Sequence, residues 1–261
     1  MFKIGVFDSG LGGLTILDAL QNTIKDASFY YIADTQHAPY GAKTPQEIVD
    51  YSFKITNYLL KHFHIDALVI ACNTATAFAI EALRVAYPQL IIVGTEPGLK
   101  PAIEHTKTNS IGILATQATL KAEKYQKLLS GLLACAQPIK VYEQACIGLV
   151  EQIEEGKIDN EETIKMLDGW LKPMREGKVD TIVLGCTHYP LVEKQIQSLM
   201  PANTMLIHTG EAIANRLLSL RKEVAKNGNV PSIQVFSTGK IHQELVKNIL
   251  KKDILVEAIE I

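Results

Sequence analysis

Short runs of apolar residues alternate with longer stretches of helical periodicity along the whole chain. The apolar runs, rich in Ile, Val and Leu, predict β-strands at Lys3–Phe7, Phe29–Ile32, Ala67–Ala71, Leu90–Val93, Ser110–Leu114, Thr181–Gly185 and Met205–His208. The periodic stretches predict helices at Thr44–Phe63, Ala75–Ala86, Leu120–Leu133, Glu161–Arg175 and Leu191–Met200. Because the strand runs are apolar throughout, we expect strands buried on both faces. The alternation therefore predicts an α/β fold of mostly parallel sheets flanked by helices.

A pair of strand patterns occurs twice in the chain. Ile4–Ser9 and Ile111–Thr116 both begin with Ile-Gly and end in a small hydroxyl residue. Asp66–Cys72 and Asp180–Cys186 both begin with Asp and end in Cys. Apolar strands resemble one another by chance, but agreement of two elements in order and spacing favours a true repeat. We therefore expect two pseudo-symmetric domains with the active site in the cleft between them, since ligands bind at the carboxyl ends of parallel strands.

Composition and charge narrow the classes of function. The chain has 261 residues, of which 47% are hydrophobic and 21% charged, and its formal net charge is −2. These values are ordinary for a globular protein and argue against direct binding of nucleic acid. The sequence shows neither a secretory signal nor an apolar run of about 18 residues. We therefore expect a cytoplasmic protein without a membrane partner, whose thiols stay reduced.

The four cysteines fall into two kinds. Cys135 lies among small residues and Cys146 in an apolar stretch, so both are predicted to be structural or core thiols. Cys72 and Cys186 each end a predicted strand and precede polar residues. No C-x-x-C pair and no zinc-ligand spacing of Cys and His occurs, so we expect no metal site.

Cys72 stands where a strand gives way to an Ala-rich helix, for which Asn73 or Thr74 is a good N-cap. A thiolate at a helix N-terminus is stabilised by the backbone N–H groups and the helix dipole. The same N–H groups, with Asn73 and Thr74, can hold a substrate carboxylate. On its own, Cys72 would more simply be a buried structural residue.

Cys186 is followed by Thr187 and His188, and Pro190 suits the first turn of the next helix. His188 can tune the charge of the thiol, or it can equally cap a helix or fill space in the core. A second strand-end cysteine with polar neighbours favours a functional role for both thiols.

Two thiols in one cleft suit racemisation at an α-carbon. One thiolate removes a proton while the other thiol returns one on the opposite face, and the roles exchange in the reverse direction. The carbanion needs hydrogen-bond donors on its carboxylate, a role that Asn73, Thr74 and Thr187 can fill. No lysine lies in a recognisable pyridoxal-type context, although the sequence by itself leaves such a cofactor open.

Two loops after predicted strands add candidate contacts with a ligand. The glycines of Asp8–Gly13 let a ligand approach the backbone, but the loop matches no phosphate-binding motif. Asp8 can assist proton transfer or orient a substrate amine, or it can cap a helix. In Pro39–Gly41, the hydroxyl of Tyr40 and the N–H of Gly41 can bind a carboxylate, although the segment alone would be read as a plain turn.

Together these segments resemble the four signature segments of bacterial glutamate racemases. In the family's order they are Asp8-Ser9-Gly10-Leu11-Gly12-Gly13, Pro39-Tyr40-Gly41, Ala71-Cys72-Asn73-Thr74-Ala75 and Gly185-Cys186-Thr187-His188-Tyr189-Pro190. The resemblance implies interconversion of L- and D-glutamate without pyridoxal phosphate or metal, which supplies D-glutamate for peptidoglycan. It also implies a second domain inserted into the first, which we place at 98–209, with the first domain at 1–97 and 210–261.

By position, the resemblance implies Cys72 and Cys186 as the catalytic acid/base pair, with Asp8 and His188 assisting. It implies substrate contacts from all four segments, namely Asp8, Ser9, Tyr40, Gly41, Asn73, Thr74, Thr187 and His188. Relatives often form dimers and some are reported to inhibit DNA gyrase. A homodimer and a gyrase interaction therefore stay open, besides the small-molecule substrate glutamate.

Three alternatives stay open. The same thiol pair could act on aspartate or a related acid, because only the pocket for the side-chain carboxylate would differ. A thiol hydrolase could use Cys186 with His188 as its base, which would leave Cys72 without a role. A protein with the same pocket could also bind a dicarboxylate without turnover.

Overall fold

The computed structural model describes residues 1–221 and 230–261 and divides the chain into two compact units. The first unit comprises Met1–Thr95 and Gly210–Ile261, and the second comprises Glu96–Thr209. Within the described ranges, none of the helices is long and apolar enough to cross a membrane.

Strands and helices alternate through both units. The strands are β1 Phe2–Asp8, β2 Ala27–Ala33, β3 Ala67–Ile70, β4 Ile91–Gly94, β5 Ser110–Ala115, β6 Lys140–Ala145, β7 Thr181–Gly185, β8 Met205–Ile207, β9 Ile233–Ser237 and β10 Val256–Ala258. The helices are α1 Leu14–Thr23, α2 Pro45–Phe63, α3 Asn73–Ala86, α4 Leu99–His105, α5 Gln117–Lys121, α6 Glu123–Ala134, α7 Leu149–Glu154, α8 Glu161–Glu176, α9 Glu193–Leu199, α10 Gly210–Leu220 and α11 Gln243–Leu250.

Each unit contains a parallel sheet. The order is β10-β9-β2-β1-β3-β4 in the first unit and β6-β5-β7-β8 in the second, and all the strand pairs are parallel. The strand order β2-β1-β3-β4 in the first unit therefore corresponds to the order β6-β5-β7-β8 in the second. The predicted α/β class and the parallel sheets are confirmed.

The predicted repeat is present in the register of the strands. Ile4 of β1 pairs with Ala67 of β3, and Ile111 of β5 pairs with Thr181 of β7. The aspartates that precede these paired strands also behave alike, because Asp66 and Asp180 each accept backbone N–H groups from the neighbouring segment. The two cysteine-ended strands thus hold equivalent places in the two sheets.

Local sequence explains much of the first unit. Helix α2 begins with a capping box in which Thr44 and Glu47 satisfy each other's backbone N–H groups, and Pro45 occupies the first turn. Its apolar face packs on the sheet through fully buried side chains such as Ile48 and Leu59. Burial of each such side chain stabilises the fold by about 1.5–3 kcal/mol.

Three predictions of local structure were wrong or incomplete. The predicted helix over Leu120–Leu133 is broken by the extended backbone of Ala122, which separates α5 from α6. Strands β6, β9 and β10 were missed, because polar residues interrupt their apolar runs. The helices that the periodicity did not predict are α1, α4, α7, α10 and α11.

Candidate active site

In the first unit, the candidate residues lie at the carboxyl ends of neighbouring strands. Asp8 is the last residue of β1, and Cys72 follows β3, which pairs with β1. The thiol of Cys72 lies 3.9 Å from the hydroxyl oxygen of Ser9. All three side chains are buried. The fold therefore brings together Asp8, Ser9 and Cys72, although more than sixty residues of sequence lie between Ser9 and Cys72.

Cys72 itself caps helix α3. Its sulfur accepts the backbone N–H of Ala75 at 3.4 Å, so the predicted N-cap at Asn73 or Thr74 was one or two residues too late. The cap places the sulfur at the positive end of the helix dipole, where a thiolate is stabilised. The side-chain amide of Asn73 donates to the carbonyl oxygen of Thr95 at 3.4 Å, and Thr74 is buried beside it in the first turn.

Asp8 organises the loop that follows β1. Its Oδ2 atom accepts the backbone N–H groups of Gly10 and Gly13 at 3.2 and 3.0 Å. The hydroxyl of Tyr31 donates to the carbonyl oxygen of Gly10 at 2.7 Å. A side chain at position 13 would stand 2.5 Å from Cβ of Asp8 and 2.8 Å from the hydroxyl of Tyr31. The carboxylate is thus held in place by the glycine loop, beside Cys72.

The Tyr40 hydroxyl is directed into the protein. It donates to Oδ2 of Asp34 at 2.5 Å, and burial, together with the neighbouring charge of Asp34, holds the pKa of Tyr40 well above its usual range. In this structure the hydroxyl therefore donates to Asp34, and its contact with a substrate carboxylate stays a prediction. Among the described residues, no hydrogen-bond partner accepts the backbone N–H of Tyr40 or Gly41.

In the second unit, Cys186 directly follows β7, and Thr187 and His188 extend from the same strand end. Nδ1 of His188 lies 3.8 Å from Sγ of Cys186 and 3.5 Å from the Thr187 hydroxyl. Nε2 of His188 lies 2.6 Å from Oε1 of Glu154. A thiol, an imidazole and a carboxylate therefore stand in series.

The charge state of this series follows from its geometry. Burial by itself lowers the pKa of His188, but the hydrogen bonds with Cys186 and Glu154 and the charge of Glu154 outweigh burial and hold that pKa well above its usual range. The ring therefore favours its protonated form, which places a positive charge beside the Cys186 sulfur. A positive charge at this distance attracts negative charge that forms on the sulfur during a proton transfer.

Sequence reasoning missed Glu154. Glu151, three residues earlier in α7, is exposed. Glu154 ends the same short helix and is partly buried against His188. Nothing in the local sequence distinguishes the two glutamates, because the contact depends on where α7 meets the end of β7.

The other two cysteines differ from each other. Cys146 follows β6 and is buried, as predicted, and burial raises its pKa well above the usual range. Cys135 is exposed at the end of α6. Across residues 1–221 and 230–261, no group of three or more His, Cys, Asp or Glu side chains is placed to hold a metal ion.

Comparison with known proteins identifies the family of the chain. A family model described as Asp/Glu/Hydantoin racemase matches residues 4–217. A glutamate racemase of Sulfurovum sp. (strain NBC37-1) is 57% identical over 249 residues, which cover 95% of this chain and 94% of that protein.

Two crystal structures are similar over almost the whole fold. Glutamate racemase isoform RacE1 from Bacillus anthracis has a TM-score of 0.86 at 31% identity, covering 100% of this chain and 98% of that one. Escherichia coli glutamate racemase, in complex with L-glutamate and the activator UDP-MurNAc-Ala, has a TM-score of 0.85 at 28% identity, covering 99% of this chain and 98% of that one.

Proposed function

The chain belongs to the Asp/Glu/Hydantoin racemase family and is an amino-acid racemase, and we propose that it interconverts L- and D-glutamate with Cys72 and Cys186 as its two acid/base groups. One observation carries this proposal: equivalent strands of the repeated fold, β3 and β7, each lead into a cysteine. Inversion of a stereocentre by proton transfer needs two such groups, one for each face of the α-carbon.

The proposed reaction has two proton transfers. A thiolate removes the α-proton, and the electron pair of the broken C–H bond is delocalised into the α-carboxylate. The other thiol then gives its proton to the second face of the α-carbon and becomes a thiolate. In the reverse direction the two sulfurs exchange roles, and no other reactant is needed.

Each thiol has its own means of carrying negative charge. For Cys72 it is the N-terminus of α3, through the N–H of Ala75. For Cys186 it is the imidazolium of His188, which Glu154 holds in its protonated form. We propose that Asp8, beside Cys72, and His188 assist the two proton transfers, and that Glu154 positions His188.

The substrate carboxylates need hydrogen-bond donors, above all where enediolate charge develops. We assign the α-carboxylate to the buried polar side chains next to the two thiols, and the side-chain carboxylate to the backbone amides of the Tyr40–Gly41 loop. The side chains are those of Ser9, Asn73, Thr74 and Thr187. D-Glutamate is the product that the resemblance assigns to peptidoglycan synthesis, and we propose that role for this racemase.

The cofactor-free protein, incubated with L-glutamate in deuterated water, tests the proposal. Loss of optical rotation together with deuterium at the α-carbon is expected for the wild type. Cys72→Ser and Cys186→Ser should each lower racemisation by about a thousandfold or more, whereas Cys135→Ser, on the exposed cysteine, should leave it unchanged. Full activity of either strand-end variant would refute the two-thiol mechanism. The same assay with aspartate tests the related substrate.

The series Cys186–His188–Glu154 also has the form of a thiol nucleophile with an oriented base, which favours a hydrolase as second candidate. A hydrolase needs no second thiol, so Cys72→Ser would stay active and an amide substrate such as glutamine would release ammonia. Release of ammonia from glutamine would establish a hydrolase activity of this series, and no release would exclude it.

A further inference from the structure

Asp34 is a buried carboxylate directly after β2 with three side-chain donors. The Tyr40 hydroxyl donates to Oδ2 at 2.5 Å, the Thr238 hydroxyl donates to Oδ1 at 2.7 Å, and Nδ1 of His37 lies 2.8 Å from Oδ1. Only 2% of Asp34 is exposed. A carboxylate buried this deeply is costly unless it is fully hydrogen-bonded, so these donors and Asp34 hold one another in a defined geometry.

The donors come from distant parts of the chain. His37 and Tyr40 belong to the loop after β2, whereas Thr238 follows β9 and lies 204 residues beyond Asp34. The Thr238 hydroxyl also accepts the backbone N–H of Gln36 at 3.1 Å. The segment after β9 therefore holds the loop that ends in Tyr40 and Gly41 in place, and we call these hydrogen bonds the clamp.

A second set of contacts supports the same clamp. The hydroxyls of Thr35 and Ser237 lie 2.7 Å apart, and the backbone N–H of Thr238 donates to the carbonyl oxygen of Ala33 at 3.0 Å. On its other side, the ring of His37 stacks on Tyr51 of α2 with 3.9 Å between the ring centroids. The loop is thus held from β9 and from α2 at once.

We infer that Asp34 and Thr238 are positioning residues that hold the Tyr40–Gly41 loop in the conformation that receives a carboxylate of the substrate. The inference rests on the proposed function for the identity of that substrate. Neither residue contacts Cys72 or Cys186 in the hydrogen bonds described, so their loss should weaken substrate binding more than proton transfer. An interaction that is equally strong in ground state and transition state changes KM and leaves kcat almost unchanged.

Thr238→Val removes the clamping hydroxyl at nearly constant volume, and Asp34→Asn removes the charge that its donors surround. We expect each to raise KM for glutamate by about tenfold or more, from the loss of hydrogen bonds to a charged group, with kcat changed by less than about threefold. Thr238→Ser, which keeps the hydroxyl, should restore KM towards the wild-type value. Matched controls are Thr23→Val, in α1, and Asp66→Asn, at the amino end of β3, and both should behave as wild type.

Calorimetric titration with glutamate, beside the kinetics, separates this inference from the proposed function. If the wild type binds glutamate without racemising it, the proposed function fails, and the dissociation constants of the variants still decide the inference. Unchanged KM and Kd in folded Thr238→Val and Asp34→Asn would overturn it, as would a loss confined to kcat. Thermal unfolding identifies a variant that does not fold. If Asp34→Asn does not fold, the KM of Thr238→Val compared with that of Thr238→Ser decides the inference.

Discussion

The imidazole of His188 pairs with Glu154, with 2.6 Å between Nε2 and Oε1, although 34 residues separate the two in sequence. The pair keeps a buried ring protonated against the effect of its own burial. The same ring faces the Cys186 sulfur through Nδ1. The protonation of a candidate catalytic histidine thus depends on a residue outside the signature segments.

Glu154→Gln should lower the pKa of His188, because the negative charge is lost while burial remains. If the imidazolium assists Cys186, activity falls as pH rises through the pKa of His188. The variant should therefore lose activity at lower pH than the wild type and have about tenfold lower kcat/KM in alkaline buffer. The measurement is the pH profile of kcat/KM for both enantiomers. Glu155→Gln, at the adjacent exposed glutamate, is the control, and identical profiles for all three proteins would contradict the role of Glu154.

The same pair should make stability depend on pH. The pKa of His188 is higher in the folded chain than in the unfolded one, so the folded state binds the proton more tightly. The stabilisation is complete below about pH 6.5, the usual pKa of histidine, and is lost as pH rises through the folded pKa. The free energy of unfolding in urea should therefore fall with pH in this window, by at most about 1.4 kcal/mol per pH unit. Glu154→Gln should flatten the slope, and an unchanged slope would show that the pair does not titrate on unfolding.

Gly13→Ala should disturb the loop that holds Asp8. The added Cβ would lie 2.5 Å from Cβ of Asp8, so we expect a loss of about 1–3 kcal/mol of stability from overpacking, together with reduced racemisation. Gly131→Ala in α6 is the matched control, since nothing lies within 4 Å of its added Cβ. That control should gain about 0.5–1 kcal/mol, as alanine favours the helix. Thermal unfolding and racemisation rates measure both effects, and equal stability changes in the two variants would contradict the close approach at Gly13.

Thiol labelling of the native protein should distinguish the exposed Cys135 from the buried Cys146 by their rates of modification. Cys135 is exposed, so a charged maleimide should modify it first and without loss of activity. Cys146 is buried with a raised pKa, and it should react only on unfolding, because the thiolate is the reactive form. Peptide mass spectrometry after timed labelling identifies the sites. Early modification of Cys146 would contradict its burial.

The amino-acid sequence alone was enough to predict the strands that consist of uninterrupted apolar residues. The apolar runs located β1, β3, β5 and β7, and the repeated Asp-to-Cys spacing located two thiols at equivalent strand ends. Such features are readable because a strand buried on both faces must be apolar throughout. The loops with Asp8 and Tyr40 were found for a related reason, as turn-forming residues directly after a strand.

Tertiary structure decided which polar groups meet. Glu154 and Glu151 are equivalent in sequence, and only the packing of α7 selects Glu154 as the partner of His188. The sequence suggested the Tyr40 hydroxyl as a contact for substrate, but in the structure this hydroxyl donates to Asp34. Asp34 also accepts the hydroxyl of Thr238, from the far end of the chain. Hydrophobic periodicity reports which face of an element is buried, but not which side chains of two distant elements come into contact. The sequence therefore determined the thiols and the sheets that present them, and the fold determined the charges and hydrogen bonds that tune them.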